Sequence, residues 1–270
     1  MATLPRTLWA VSDLHVNFPD NRAMVDALRP RTSGDWLIVA GDVADSVPDV
    51  VRTMRALRGR FATVIWAPGN HELYSRRGDR LKGKSKYREL VGHMRALGVS
   101  TPEDPFPVFS GVTVCPLFTL YDYSFRPLGL SASQAVARAT VRLDDELTIA
   151  PYVDVIEWCR ERVEYTAARL AGTSGPTILV NHWPLIEEPT RRLKQRDLAL
   201  WCGTRETRMW PVKYQALAVI HGHLHIPLIT SQDGIPHIEV SLGYPFERQR
   251  AGGRPALAGR QWPYPVVVEQ

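Results

Sequence analysis

Residues 36–45 read WLIVAGDVAD: five apolar residues in a row, a glycine, then Asp42 and Asp45 three apart. A short apolar run broken by a polar turn is the pattern of a buried strand. The same pattern lies on either side. Thr7–Val11 gives way to Ser12, Asp13 and His15, and Ala62–Ala67 gives way to Pro68, Gly69, Asn70, His71 and Glu72. Between these runs, Asn21–Leu28 carries Ala23, Met24, Ala27 and Leu28 at helical spacing, with Pro30 as a stop. Pro48–Leu57 does the same with Val50, Val51, Met54 and Leu57, and Gly59 lies just beyond its end. Strand, helix, strand, helix, strand predicts a parallel β-α-β-α-β unit.

Further along, Tyr87–Leu97 reads as a helix capped by Gly98, Val112–Leu120 as a strand, and Val153–Ala171 as the longest helix. Residues 121–150 fit no single pattern and read as a helical insertion. Strands are expected at Thr177–Val180, Leu217–Ile220, Ile226–Thr230, His237–Ser241 and Val266–Val268. The last four follow one another without intervening helices, so the second half should contain antiparallel or mixed sheet. Gly252 and Gly253, with arginines around them, suggest a mobile surface loop. No composition shift marks a boundary, so the expectation is one domain over residues 1–270.

The composition is that of an ordinary globular chain: 270 residues, 44% hydrophobic and 23% charged. It excludes a disordered tail, a disulfide-stapled mini-domain and a collagen-like rod. No apolar stretch approaches the roughly 18 residues a membrane helix needs, and the N-terminus lacks a signal-peptide pattern. Three widely spaced cysteines, Cys115, Cys159 and Cys202, suit a reducing cytoplasm. Residues 76–88 hold Arg76, Arg77, Arg80, Lys82, Lys84, Lys86 and Arg88 against Asp79 alone, which more than accounts for the whole chain's net +5. This is a local basic segment, not a basic protein of the kind that coats nucleic acid.

The chemistry gathers where the strands end. Asp13 and His15 follow the first strand, Asp42 and Asp45 the second, Asn70, His71 and Glu72 the third. His182 follows the strand at 177–180, and His221, His223 and His225 close the strand at 217–220. Open α/β sheets place ligands at the carboxyl ends of their strands, so groups distant in sequence can converge there. Imidazoles and carboxylates with no thiolate nearby suit Mn, Fe, Zn or Ni. Asp13, His15, Asp42, Asn70, His182, His223 and His225 are too many for one tetrahedral ion and enough for two adjacent ions sharing a carboxylate. Such a pair acidifies a bound water and clamps both oxygens of a displacement at phosphorus.

Asp13-Leu-His15, Gly41-Asp42-x-x-Asp45, Gly69-Asn70-His71-Glu72, His182 and Gly222-His223-x-His225 together resemble the five ordered blocks of the calcineurin-like metallophosphoesterase superfamily. The resemblance implies an α/β four-layer α-β-β-α sandwich with two mixed β-sheets. It also implies two divalent ions (Mn, Fe or Zn) and hydrolysis of a phosphate ester by a bridging hydroxide. One ion would take Asp13, His15, Asp42 and His225, and the other Asp42, Asn70, His182 and His223. His71 would face the scissile bond and Asp45 would orient it. In the protein serine/threonine phosphatase branch, Arg and Gly follow the position of Asp45. Ser46 and Val47 stand here, which argues against that branch and leaves the phosphate-gripping group unidentified.

The substrate expected from these blocks is a small phosphorylated or nucleotide-like molecule, mono- or diester. The run 76–88 begins four residues after Glu72, so Arg76, Arg77 and Tyr74 are candidate substrate contacts and the run could form a cationic lid. Trp183 could stack on a ring but more often such a residue packs. His93 and His237 read as structural, while His221, outside the ligand pattern, fits a supporting role as well as a catalytic one. The cationic run keeps a nuclease as an alternative, and a non-catalytic scaffold on the same fold is a second. No membrane partner is expected.

Overall fold

The computed structural model describes residues 4–75, 79–141, 143, 149–250 and 261–268. The opening β-α-β-α-β unit forms as the sequence predicts. Strands β1 (Thr7–Val11), β2 (Trp36–Val39) and β3 (Thr63–Trp66) pair in parallel in that order. They are connected by helix α1 (Pro19–Ala27) and helix α2 (Val47–Arg58). Proline occupies the first turn of both helices, where its missing N–H costs nothing. The Ser46 hydroxyl caps α2 by accepting from the Asp49 N–H at 3.2 Å. After β3 come the one-turn helix α3 (Asn70–Leu73) and helix α4 (Gly83–Ala96), followed by β4 (Val108–Phe109), β5 (Val112–Pro116) and helix α5 (Ala132–Arg138). Helix α6 (Val155–Leu170), β6 (Thr177–Val180), the short helix α7 (Trp210–Lys213) and β7 (Ala216–His221) continue the chain. It closes with β8 (Ile229–Gln232), β9 (Ile235–Glu239), helix α8 (Pro245–Arg250) and β10 (Tyr264–Val268).

Two mixed sheets result. One has the order β10-β1-β2-β3, and the other the order β4-β5-β6-β7-β9-β8. In the second sheet β5, β6, β7 and β9 are parallel, while β4 and β8 pair antiparallel at its two edges. The run of late strands is therefore mixed, as expected, but it splits: β10 crosses to the first sheet and pairs antiparallel with β1. Alternation along the strands decides which layer each side chain joins. Leu8, Ala10, Ile38, Ala40, Ile65 and Ala67 of the first sheet meet Val114, Ile178, Val180, Ala218, Ile220 and Ile238 of the second. The intervening Trp9, Val11, Leu37, Val39, Val64 and Trp66 face the helices and pack with Val50, Met54 and Leu57 of α2 and Leu90 and Met94 of α4. On the far face, Leu179 and Val219 pack with Leu170 and Trp210. Helix, sheet, sheet, helix is the four-layer sandwich.

Three sequence expectations change. Helix α4 starts at Gly83, not Tyr87, so the second half of the basic run is helical rather than loop. The strand expected over 112–120 ends sooner, at Pro116, with Leu117 N–H making the last bond to Val180 C=O at 2.7 Å. Among the described residues of 121–150 there is one helix, the seven-residue α5, and Tyr121 and Tyr123 lie in the core. Residues 142 and 144–148, and the loop around Gly252 and Gly253, lie outside the described residues. Among the described residues no helix is long and apolar enough to cross a membrane.

The inner faces should carry the stability. Ile65→Ala, at a side chain with no exposure, should cost about 2–5 kcal/mol in urea unfolding. Leu217→Ala, at an exposed position of β7, should stay within about 0.5 kcal/mol. Equal effects would contradict the layer assignment.

Candidate active site

Because β1, β2, β3, β6 and β7 end along one edge, the residues that follow them share one rim. The two sheets are also tied there: Ser12 N–H donates to Val240 C=O at 3.0 Å and Leu242 N–H to Ser12 C=O at 2.8 Å. The turns off the strands are tight. Asp13, His15, Asp42, His223 and His225 all have positive φ, between 41° and 73°. Left-handed backbone at non-glycine residues is costly and clusters at functional sites. Gly222 is required for space, since a side chain there would run into Ser12 and Asp13.

Seven sequence-predicted residues converge. His225 Nε2 lies 3.0 Å from Asp13 Oδ1 and 3.2 Å from His15 Nε2. Asn70 Oδ1 lies 3.1 Å from His182 Nε2 and 3.0 Å from His223 Nδ1. Asp42 stands between the two groups. Its Oδ2 is 3.4 Å from His182 Nε2, and it also belongs to a donor cluster with His15 and His71. Donors held about 2.1 Å from one divalent ion lie roughly 3.0–3.4 Å apart, so these separations fit the edges of two coordination shells that meet at Asp42.

The opposite faces of the rings fix which nitrogen looks inward. His182 Nδ1 donates to Ala40 C=O at 2.8 Å, His223 Nε2 to Trp201 C=O at 3.1 Å, and His225 Nδ1 to the Glu247 carboxylate at 2.9 Å. The Tyr74 hydroxyl accepts from Asn70 Nδ2 at 2.9 Å, which turns Asn70 Oδ1 toward the two imidazoles. Asp13 accepts from the Ser241 hydroxyl at 2.7 Å. Buried Glu72 accepts the N–H groups of Asp42 and Val43 at 2.9 Å and of Gly69 at 2.8 Å. Burial and the Asp42 charge raise its pKa, but three N–H donors converging on it hold it as the carboxylate.

The electrostatics call for cations. Burial raises the pKa of Asp13, yet the charge and hydrogen bond of His225 more than offset it and keep Asp13 ionised. Asp42 is held well below the usual carboxylate range, against burial, chiefly by His182 and His71. In return, Asp42 lifts His182 to about 9 against the effect of burial, and Asp13 raises His225. His15 and His223 are pushed down by burial, to about 4 and about 3.

His71 stands apart from the inward-facing donors. Its Nδ1 is 2.8 Å from Asp45 Oδ1, its backbone N–H donates to Asp42 Oδ1 at 2.9 Å, and its Nε2 lies 3.9 Å from Asp42 Oδ2. Of the expected substrate contacts, Arg76 and Arg77 lie outside the described residues, and the Tyr74 hydroxyl is engaged with Asn70. Two cations of the basic run are engaged elsewhere: Lys84 pairs with Glu161 at 2.6 Å, and the buried Lys86 ammonium donates to Tyr74 C=O. Trp183 is fully buried against His182 and His223, so it packs. His221 and His237 are buried and held neutral by burial, while His93 sits on α4 near Glu89. Sequence reasoning missed Glu247 and Tyr244. Tyr244 Oη is 3.3 Å from His71 Nε2 and its ring stacks on His15 at 4.5 Å. Both residues follow β9 in a segment with no motif spacing.

The family model for calcineurin-like phosphoesterases matches residues 6–227. The chain belongs to that family. It is also 44% identical over 258 residues to the [acyl-carrier-protein] phosphodiesterase PptH of Mycobacterium tuberculosis, covering 90% of this chain and 80% of that one. The crystal structure of the M. tuberculosis phosphopantetheinyl hydrolase (PptH) superposes with a TM-score of 0.91 at 41% identity, covering 98% of this chain and 97% of the other. As a calcineurin-like phosphoesterase the protein is a metal-dependent hydrolase of phosphate esters that uses two divalent ions.

Two results should follow. Metal ligation needs unprotonated imidazole nitrogen, and the raised pKa values of His182 and His225 leave both rings protonated at pH 7 without metal. Calorimetric Mn titration at pH 7, in buffers of different ionisation enthalpy, should register net proton release. The release should shrink as pH rises past 9, the value for His182. Zero release at pH 7 would contradict the charge assignment. Glu247→Ala should weaken Mn binding about 10–100-fold, the usual cost of losing a carboxylate behind a ligating histidine.

Proposed function

We propose that this chain hydrolyses the phosphodiester that joins a phosphopantetheinyl arm to a serine of an acyl-carrier protein, releasing the arm and the free serine hydroxyl. The observation that carries this reading is the agreement with the M. tuberculosis hydrolase over 98% of the chain at 41% identity. The phosphorylated substrate is then an arm on a protein rather than a free small molecule. Cytoplasmic residence fits three cysteines kept as buried thiols.

In this reading Asp13, His15, Asp42 and His225 hold one ion, and Asp42, Asn70, His182 and His223 the other. When bound, the two ions supply Lewis acidity toward the phosphoryl oxygens and an acidified water as nucleophile. The protein does the rest. His71 Nδ1–H donates to Asp45, which fixes the ring and stabilises positive charge on it, so that Nε2–H can be presented to the serine oxygen as its bond to phosphorus breaks. Glu72 ties the loops after β2 and β3 together, so Asp42 and His71 keep one mutual geometry. The basic run that supported a nuclease has Lys84 and Lys86 already engaged. The complete and mutually oriented donor set gives a non-catalytic scaffold no support.

Mn-loaded enzyme incubated with a phosphopantetheinylated carrier protein should convert it to the unmodified form, followed by mass spectrometry. An arm that stays in place, while the same enzyme turns over bis-p-nitrophenyl phosphate, would sink the carrier-protein reading and leave the diesterase standing. His71→Ala should keep both ions and lose about 10²–10⁴-fold on the serine ester. Retention of full rate would remove its assigned role.

A further inference from the structure

We propose that Tyr244 is a further catalytic residue, whose hydroxyl donates a hydrogen bond to the same leaving oxygen that His71 protonates. The inference rests on the leaving-side role given to His71 above.

Three observations support it. First, Tyr244 Oη is 3.3 Å from His71 Nε2, the ring nitrogen opposite the one held by Asp45, so the two polar ends lie side by side. Second, the ring is held on several sides. It stacks on His15 at 4.5 Å and 28°, meets His225 edge-on at 4.7 Å and Phe18 at 5.5 Å, and carries Phe246 on it at 5.3 Å and 17°. Third, its backbone is braced. Tyr244 N–H donates to Glu247 at 2.8 Å, and Gly243 C=O accepts from Arg248 at 2.9 Å and from Asn21 at 3.0 Å. Arg248 and Asn21 are themselves buried and joined at 2.6 Å. Phenylalanine would satisfy all of that stacking and bracing equally well, so packing alone does not explain the hydroxyl.

The step balances simply. As the oxygen of the attacking water bonds to phosphorus, the P–O bond to the leaving group breaks with its electron pair going to the leaving oxygen. That oxygen takes the Nε2 proton of His71, whose ring is left neutral with Nδ1–H on Asp45. Tyr244 O–H keeps its proton and offers it as a hydrogen bond to the oxygen while negative charge is greatest. A preorganised donor at such a point is worth far more in the transition state than in the ground state. The contribution should therefore grow as the leaving group becomes more basic, and should fall on kcat rather than KM.

The test is a leaving-group series with Mn-loaded wild type, Tyr244→Phe and His71→Ala. Phosphodiesters of one fixed ester and a varied leaving alcohol, from p-nitrophenol to a simple alkyl alcohol, make the carrier protein unnecessary. Tyr244→Phe should keep two bound ions, stay within about threefold of wild type with p-nitrophenolate, and lose about 10²-fold in kcat with the alkoxide at little change in KM. A uniform loss across the series, or none with the alkoxide, would overturn the proposal. Graded loss for His71→Ala beside uniform loss for Tyr244→Phe would remove only Tyr244. Uniform loss for His71→Ala would remove the role on which the proposal rests. Should Tyr244→Phe fail to hold metal, 4-aminophenylalanine at position 244 retains a donor of similar reach. It should return the alkoxide rate to within about tenfold of wild type, and failure to do so would equally overturn the proposal.

Discussion

Asp13 and Asp42 are two carboxylates buried together where the sheets meet, and both stay ionised. Buried charge is tolerated only where opposite charge and hydrogen-bond donors answer it. Much of the local structure provides that answer. His182 and His225 are drawn toward their charged forms, Ser241 and the His223 N–H donate to Asp13, and the His71 N–H donates to Asp42. A pair of divalent ions is the fuller answer, and the inward-facing donors are spaced to accept one.

That constraint explains the backbone around the site. Five of the motif residues adopt left-handed φ, and Glu72 uses its buried carboxylate to pin three N–H groups of two separate loops. Each left-handed residue costs folding energy of order 1–3 kcal/mol locally. The inner faces of the sheets, with Leu8, Ile38, Ile65, Ile178 and Ile220 closed against one another, supply the rigidity that holds it. Chemistry and core are thus separated by only a few residues: each strand packs with its middle and binds with the turn after its end.

This separation made most of the site legible in the sequence. A ligand that directly follows an apolar run announces its place, so Asp13, Asp42, Asn70, His182 and His223 could be set on one rim from spacing and motif order. The first three strands were legible for the same reason. What could not be read depends on long-range docking. β10 could not be assigned to the first sheet, because nothing in its own residues names β1 as its partner. Tyr244 and Glu247 reach the site through a turn that Asn21 and Arg248 brace across 227 positions of sequence. The basic run misled in the other direction: its charge is evident, but that Lys84 meets Glu161 on α6 is a tertiary fact.

The central claim is that Asp42 joins two ions, one held with Asp13, His15 and His225 and the other with Asn70, His182 and His223. Anomalous diffraction from crystals grown with Mn tests this directly. Two peaks should stand about 3.5–4 Å apart, the spacing of two-metal hydrolytic sites, with Asp42 between them. A single peak, or a pair that leaves Asp42 uncoordinated, would contradict the account.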